Sequence, residues 1–239
     1  MREELRRKAG EAWAFRTRVE REAARRFARL AVGIAAFDAD SPVPALMRQA
    51  AADEHRHAGL CADLSAAYGQ PVGAAAEDAA IAPGSLGPRA AVLYEVVASC
   101  CITETESVAT LTTLLAEPVE PRVERVLREI ARDEVVHGRI GWAYLSMEAS
   151  ISDVSFLSPW IPAMLAGTVD EGLFAAAGAD LESRELLRHG VLPHSLKRSI
   201  FIGTLEGVVF PGLEKFGISS QPARQWVEAR NPGARSRLG

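Results

Sequence analysis

The chain has 239 residues, enough for one well-buried domain or one domain with an appendage. Nearly half of them are apolar and only 6% aromatic, with heavy use of Ala and Leu, which suits packed helices better than sheets. A net charge of −4 gives no electrostatic ground for nucleic-acid binding, and three cysteines make no disulfide framework and fit a reducing compartment.

The N-terminus, Met1 to Lys8, is charged and lacks the apolar core of a signal peptide. A first helix is expected from about Glu11 to Phe37, stopped by the polar stretch Asp38 to Ser41. The second opens with Ser41 as N-cap and Pro42 in the first turn, and ends at Tyr68-Gly69. A Gly- and Pro-rich connection runs from Gly69 to about Gly87. The third helix runs from Pro88 to Ala116, where Glu117-Pro118 breaks it, and the fourth from Pro121 to about Ser150. Each is a rod of about 40 Å. The outer connections are short and join antiparallel neighbours. The middle one could span about 60 Å extended. It therefore allows the second and third helices to run parallel, and an up-down bundle with a loose middle loop is the competing arrangement.

Residues 1–150 are thus expected to form the bundle and residues 151–239 a helical extension packed on it. The apolar run Val154 to Val169 is interrupted by Pro159 and Pro162 and is too short to span a bilayer. Pro193-His194-Ser195 opens a helix carrying Leu196, Ile200, Phe201, Leu205 and Val208, which Pro211 should kink or end. The tail from about Asn231 is expected to be disordered.

The second and fourth helices share a chemical element. Ala51-Ala52-Asp53-Glu54-His55-Arg56-His57 and Ala131-Arg132-Asp133-Glu134-Val135-Val136-His137 both read Ala-x-Asp-Glu-x-x-His. Glu and His three residues apart share a helix face and can reach one metal ion. One such pair is weak evidence; two copies, each among apolar neighbours, are strong, because a buried charge needs a partner or a metal. Glu54 shares its face with Met47, Ala50, Ala58 and Cys61, and Glu134 with Leu127, Ile130, Gly138 and Gly141.

A carboxylate-bridged dimetal site also needs one inward glutamate from each remaining helix. On the first, Glu20 lies with Ala23, Ala24, Phe27 and Ala31, whereas Glu22 lies among Arg18, Arg25 and Arg26 on what reads as a solvated, salt-bridged face. On the third, Glu104 lies with Val97, Cys100, Cys101, Val108 and Leu111. Glu106 sits on a Thr-rich face, and Glu95 is the remaining candidate. Glu20 and Glu104 are therefore the expected ligands.

The set Glu20, Glu54-x-x-His57, Glu104, Glu134-x-x-His137 resembles the ligand pattern of the ferritin-like di-iron carboxylate superfamily. Glu20 to Arg29 and Cys101-Ile-Thr-Glu104-Thr look like matching elements of uncharacterised bacterial ferritin-like proteins. The resemblance implies an all-α, ferritin-like four-helix bundle with a long crossover between helices 2 and 3, plus additional C-terminal helices. It implies that Glu54 and Glu134 bridge two metals while Glu20 and Glu104 bind one each. It also implies that Asp53 and Asp133 accept the ring N–H of the histidine across the site.

Four carboxylates and two imidazoles suit iron, with manganese as the alternative. No catalytic residue beyond the ligands is expected. The leading functional expectation is a di-iron oxidase or oxygenase acting on O₂ and a small organic molecule, with residues 151–239 enclosing the substrate. A ferroxidase, peroxidase or iron-handling protein and a non-catalytic helical interaction protein are the alternatives. The protein is expected in the cytoplasm, away from membrane and nucleic acid, with a homodimer open. Cys61 and Cys101 are placed one turn from a ligand, facing the site or serving as small core residues. His55 is expected exposed, His189 and His194 at the surface or in packing, and Tyr144 in the core.

Overall fold

The computed structural model describes residues 2–38, 40–73, 79–169, 171–175 and 184–231. Among these, regular structure is helical throughout. The bundle consists of α1 (Glu3–Phe37), α2 (Val43–Ala67), a third rod and α5 (Pro121–Ile151). The third rod is α3 (Pro88–Val96), a π-helical segment (Val97–Thr103) and α4 (Glu104–Leu115). After it come α6 (Ile161–Thr168), α7 (His194–Thr204), a second π segment (Leu205–Val209), α8 (Phe210–Glu214) and α9 (Gln221–Arg230).

Two boundaries differ from expectation. Helix α1 starts eight residues before Glu11, at Glu3, because Leu5, Ala9 and Trp13 continue its apolar stripe backward at steps of four. Helix α2 starts at Val43, whose N–H donates to the Ser41 hydroxyl at 3.2 Å, so Ser41 still satisfies a first-turn donor. The third rod departs further from a plain α-helix. Its i→i+5 bonding is seen in the backbone N–H of Glu104, which donates to the carbonyl of Ser99, and the Thr103 hydroxyl also donates to the carbonyl of Ala98 at 2.9 Å. Pro211 does not end the C-terminal helix; the five-residue π segment before it absorbs the missing N–H and the chain stays helical to Glu214. The expected disordered tail falls almost wholly outside the described residues.

Side-chain pairings fix the topology. Ser65 of α2 donates to the carbonyl of Gly10 in α1 at 3.2 Å, so the first hairpin is antiparallel. Arg29 of α1 meets Glu95 at 2.6 Å, and a Cβ on Gly33 would come within 2.9 Å of Val92, so α3 also runs against α1. Both α2 and α3 oppose α1 and therefore run parallel to each other. Arg89 of α3 pairs with Glu148 near the far end of α5, and Arg56 of α2 with Asp133, so α5 opposes both. The crossover returns along α1, where Arg21 donates to the carbonyl of Gly73 and Arg29 to that of Ala79. This is the ferritin-like arrangement.

Two apolar cores divide the bundle lengthwise. One gathers Trp13, Cys61, Leu64, Leu111, Leu114, Leu127 and Ile130. The other gathers Phe27, Ile34, Met47, Leu93, Ile102, Tyr144 and Leu145, and extends into Leu157, Leu165, Phe201, Phe210 and Leu213. The C-terminal helices thus share the second core. On every rod a polar level separates the two cores, at Glu20, Glu54 to His57, Glu104 and Glu134 to His137.

Close helix approach at that level depends on Gly141. A Cβ there would lie 2.3 Å from Cys100 Cβ and 3.1 and 3.2 Å from its backbone carbons. Backbone cannot retreat as a flexible side chain can, so Gly141→Ala should cost at least about 1–3 kcal/mol. At roughly 2–4 °C per kcal/mol for a chain of this size, a thermal melt should show the loss plainly. An unshifted melting temperature would contradict the packing described.

Candidate metal centre

The polar level is built from charged residues that a helix normally keeps in water. Glu20, Glu54, His57, Glu104, Glu134 and His137 are each between 0% and 5% exposed. Ligand atoms of Glu20, Glu54, His57 and Glu134 all lie within 4.8 Å of one another, as do those of Glu54, Glu104, Glu134 and His137. Glu54 and Glu134 belong to both groups. The first hairpin contributes three members of the first group and the second hairpin three of the second, each group borrowing one glutamate from across the bundle.

The histidines are held in matching ways. His57 Nε2 faces Asp133 Oδ2 at 3.1 Å, and its Nδ1 faces Glu54 at 3.4 Å. His137 Nε2 faces Asp53 at 3.6 Å, and its Nδ1 lies 2.8 Å from Glu54 and 3.1 Å from Glu134. Each aspartate beside a glutamate thus stands near the histidine of the opposite hairpin, within hydrogen-bond distance for Asp133 and His57 but not for Asp53 and His137. Arg56 ties this outer layer together, reaching Asp53 at 3.1 Å, Asp133 at 2.7 Å and Glu129 at 2.6 Å. Burial would raise the Asp133 carboxyl, but its bonds to Arg56, His57 and Arg132 hold it well below the usual range. It is an anion that accepts the Nε2 proton of His57, leaving Nδ1 directed inward.

The inner carboxylates repel. Burial, then the charges of its neighbours, raises Glu20 well above its ordinary value, and the same causes raise Glu104 and Glu54. Glu134 ends lower, because bonds to His137 and Glu104 outweigh burial. Burial alone would lower His137, yet Glu134 and Glu54 push it up to about 10. Both oxygens of Glu54, Nδ1 of His57 and Nε2 of His137 have no well-aligned hydrogen-bond partner, although His137 Nδ1 stands 2.8 Å from Glu54. Orphaned acceptors at the centre of a bundle fit cations as partners, and four carboxylates balance two divalent ions in charge.

Other residues fall outside the cluster. Glu95 is buried against Arg29 and the N–H of Ile81, and Glu106 accepts the hydroxyl of Thr110 at 3.0 Å. Glu22 corrects its expected place: it is half-buried, forms no salt bridge among the described residues, and lines a cavity beside Arg26. Cys101 takes the core place, one of the two expected for it. Like Cys100 it is buried in the second apolar core. Cys61 is buried, and burial followed by the charge of Glu20 raises its thiol. His55 is exposed, His189 faces the Tyr68 hydroxyl at 3.0 Å, and His194 the carbonyl of Gly172 at 2.8 Å.

Sequence reasoning missed Arg56, whose only signal is that its counterpart in the second motif is Val136. It also missed Ser107, which donates to Glu134 at 3.2 Å, and Glu148, buried under a two-pronged bond from Arg89. A cavity of about 560 Å³ opens between α1 and the π–α4 stretch and is lined by all four inner glutamates. Its other walls include Phe27, Val169, Leu173, Leu192 and Phe201, so the C-terminal region closes part of it.

An all-helical bundle with this crossover and a buried level of four glutamates and two histidines defines a ferritin-like protein with the donor set of a di-iron carboxylate site. The family model described as Rubrerythrin matches residues 14–141, more than half the chain. The protein belongs to the rubrerythrin family. Searches of curated proteins and of solved structures found no match.

Proposed function

We propose that the protein is a di-iron carboxylate oxidase or oxygenase that acts on an organic substrate held in the cavity beside the cluster. The cavity carries this reading: its volume lies within the range of small-molecule sites, and it reaches the four glutamates directly. Glu20, Glu54, His57, Glu104, Glu134 and His137 would hold the ions, with Glu54 and Glu134 shared between them. Iron, or manganese, would supply the electrons that reduce O₂.

The chain's own part is to hold and shield. Asp133 fixes the ring of His57, Ser107 orients Glu134, and Arg16, 3.7 Å from Glu20, offsets charge at the outer edge. Trp13 and Phe27 bracket the polar level and keep bulk water from its two ends. The cysteines are free and buried, which supports a reducing, cytoplasmic setting. No helix among the described residues is long and apolar enough to cross a membrane.

Membership in the rubrerythrin family favours a second reading, an iron-oxidising or peroxide-consuming protein. One experiment separates the two. Protein loaded anaerobically with ferrous iron is exposed to O₂ or to hydrogen peroxide, with optical detection and measurement of retained iron. Rapid O₂ consumption with iron held at two per chain is expected. Preferential use of peroxide, or iron accumulating well beyond two, would move the assignment to the second reading. No oxidation above that of free iron would end both.

A further inference from the structure

Arg26 is a cation without an acid. Its Nε is buried and has no hydrogen-bond partner, and among the described residues it forms no salt bridge, although Glu22 stands one helical turn away. Ser99, in the first π segment, is buried and its hydroxyl is also unpartnered. Both side chains line the 560 Å³ cavity and a smaller one of about 140 Å³, with Thr103 and Thr168 at the same junction. A buried guanidinium N–H without a partner and an unpaired buried hydroxyl are costly to keep. The guanidinium is donor-only and repels a metal ion, and the hydroxyl can donate beside it, so together they ask for an anion.

We infer that Arg26 and Ser99 form a carboxylate-binding subsite, and that the substrate is a small organic acid. The inference rests on reading the cavity as the substrate site. A single guanidinium presents a planar fork that matches the two oxygens of a carboxylate and neutralises one negative charge. A dianion would leave a charge in excess beside four glutamates. Arg26 lies six residues from Glu20, about 9 Å along the helix axis. Ala23 lies between them, and it and the neighbouring Phe27 also line the cavity. The acid group is thus held at a distance from the cluster while the uncharged part of the molecule lies along an apolar wall toward it.

The test titrates benzoate and hexanoate, with benzamide and hexanamide as neutral counterparts, into the full chain loaded with redox-inert zinc(II), by calorimetry. The acids should bind saturably and the amides at least about tenfold more weakly. Arg26→Gln should weaken the acids by a similar factor, Arg26→Lys less, and Ser99→Ala several-fold, while Arg125→Gln at an exposed position should change nothing. Without ligand, Arg26→Met should melt no lower than wild type, because it removes an uncompensated charge, and should lose the rise in melting temperature that the acids give. Equal binding of acids and amides, acid binding that survives Arg26→Gln, or failure of both acids to bind would overturn the inference. Metal content and O₂ uptake are measured on iron-loaded samples from the same preparations. If these hold while acid binding fails, only the subsite is wrong. If metal is absent, the di-iron reading fails, and the same titrations on metal-free protein still decide the subsite.

Discussion

Glu134→Ala protein, reconstituted anaerobically with ferrous iron, should retain only trace metal, whereas Glu20→Ala should retain one ion per chain. The difference follows from the two ligand groups. Glu134 belongs to both, and Glu20 to one. Losing Glu134 takes a carboxylate from each group and leaves His137 beside a less compensated set of charges. Losing Glu20 leaves Glu54, Glu104, Glu134 and His137 intact as one complete group. Glu54→Ala should behave like Glu134→Ala, and Glu104→Ala like Glu20→Ala. Glu22→Ala and Glu106→Ala should keep both ions, since neither residue joins a group. Elemental analysis reads all six variants. Equal loss from Glu134→Ala and Glu20→Ala would show that no glutamate is shared, and loss from Glu22→Ala would move the site along α1.

The melting temperature of metal-free protein should fall as pH rises from about 5.5 to 8, and metal should reverse the trend. Glu20, Glu54 and Glu104 have raised carboxyls, first from burial and then from one another. His137 is raised to about 10 despite burial, through Glu134 and Glu54. A group whose folded value exceeds its unfolded one binds more protons when folded. Its stabilisation is complete below the unfolded value and is lost as pH climbs toward the folded one. Three carboxyls and one imidazole act in this sense. Glu134, which is lowered, acts oppositely and contributes above its unfolded value. The window therefore opens near ordinary carboxyl values and extends to about 10. Metal takes the place of those protons, so its effect should widen with pH. At a hundredfold excess over Kd, one ion stabilises by about 2.7 kcal/mol, or roughly 5–10 °C in a chain of this length. A melting temperature indifferent to metal at every pH would return the protein to the interaction-protein alternative.

The helices and the six clustered residues were legible because their signals are local. Each Glu-x-x-His pair is written within one helical turn, and the apolar neighbours of Glu20 and Glu104 mark their faces at ordinary helical spacing. The π segment was not legible. Val97 to Thr103 contains no proline or glycine, and nothing in seven small and apolar residues distinguishes i→i+4 from i→i+5 bonding. Arg26 and Glu22 were misplaced for a different reason. A helical wheel divides a surface into core and solvent, and α1 also borders a cavity whose far wall comes from residues about 75 to 175 positions away. Arg56 stayed hidden because its partners lie on another helix, 73 and 77 residues on.

The exchange of one glutamate and one aspartate between hairpins also bears on how the chain assembles. Each hairpin can form from contacts close in sequence, and each carries three of the donors that one ion needs. Completing the first set requires Glu134, and holding the ring of His57 requires Asp133, 76 positions along the chain. Loop closure over that span adds only slowly with length, about 0.6 kcal/mol per doubling. Each hairpin thus presents an incomplete donor set to the other, and an ion seated in one would offer the other a charge to close upon. On the proposed reading the metal is a folding partner as well as a reagent, and refolding should be faster with iron present than without it.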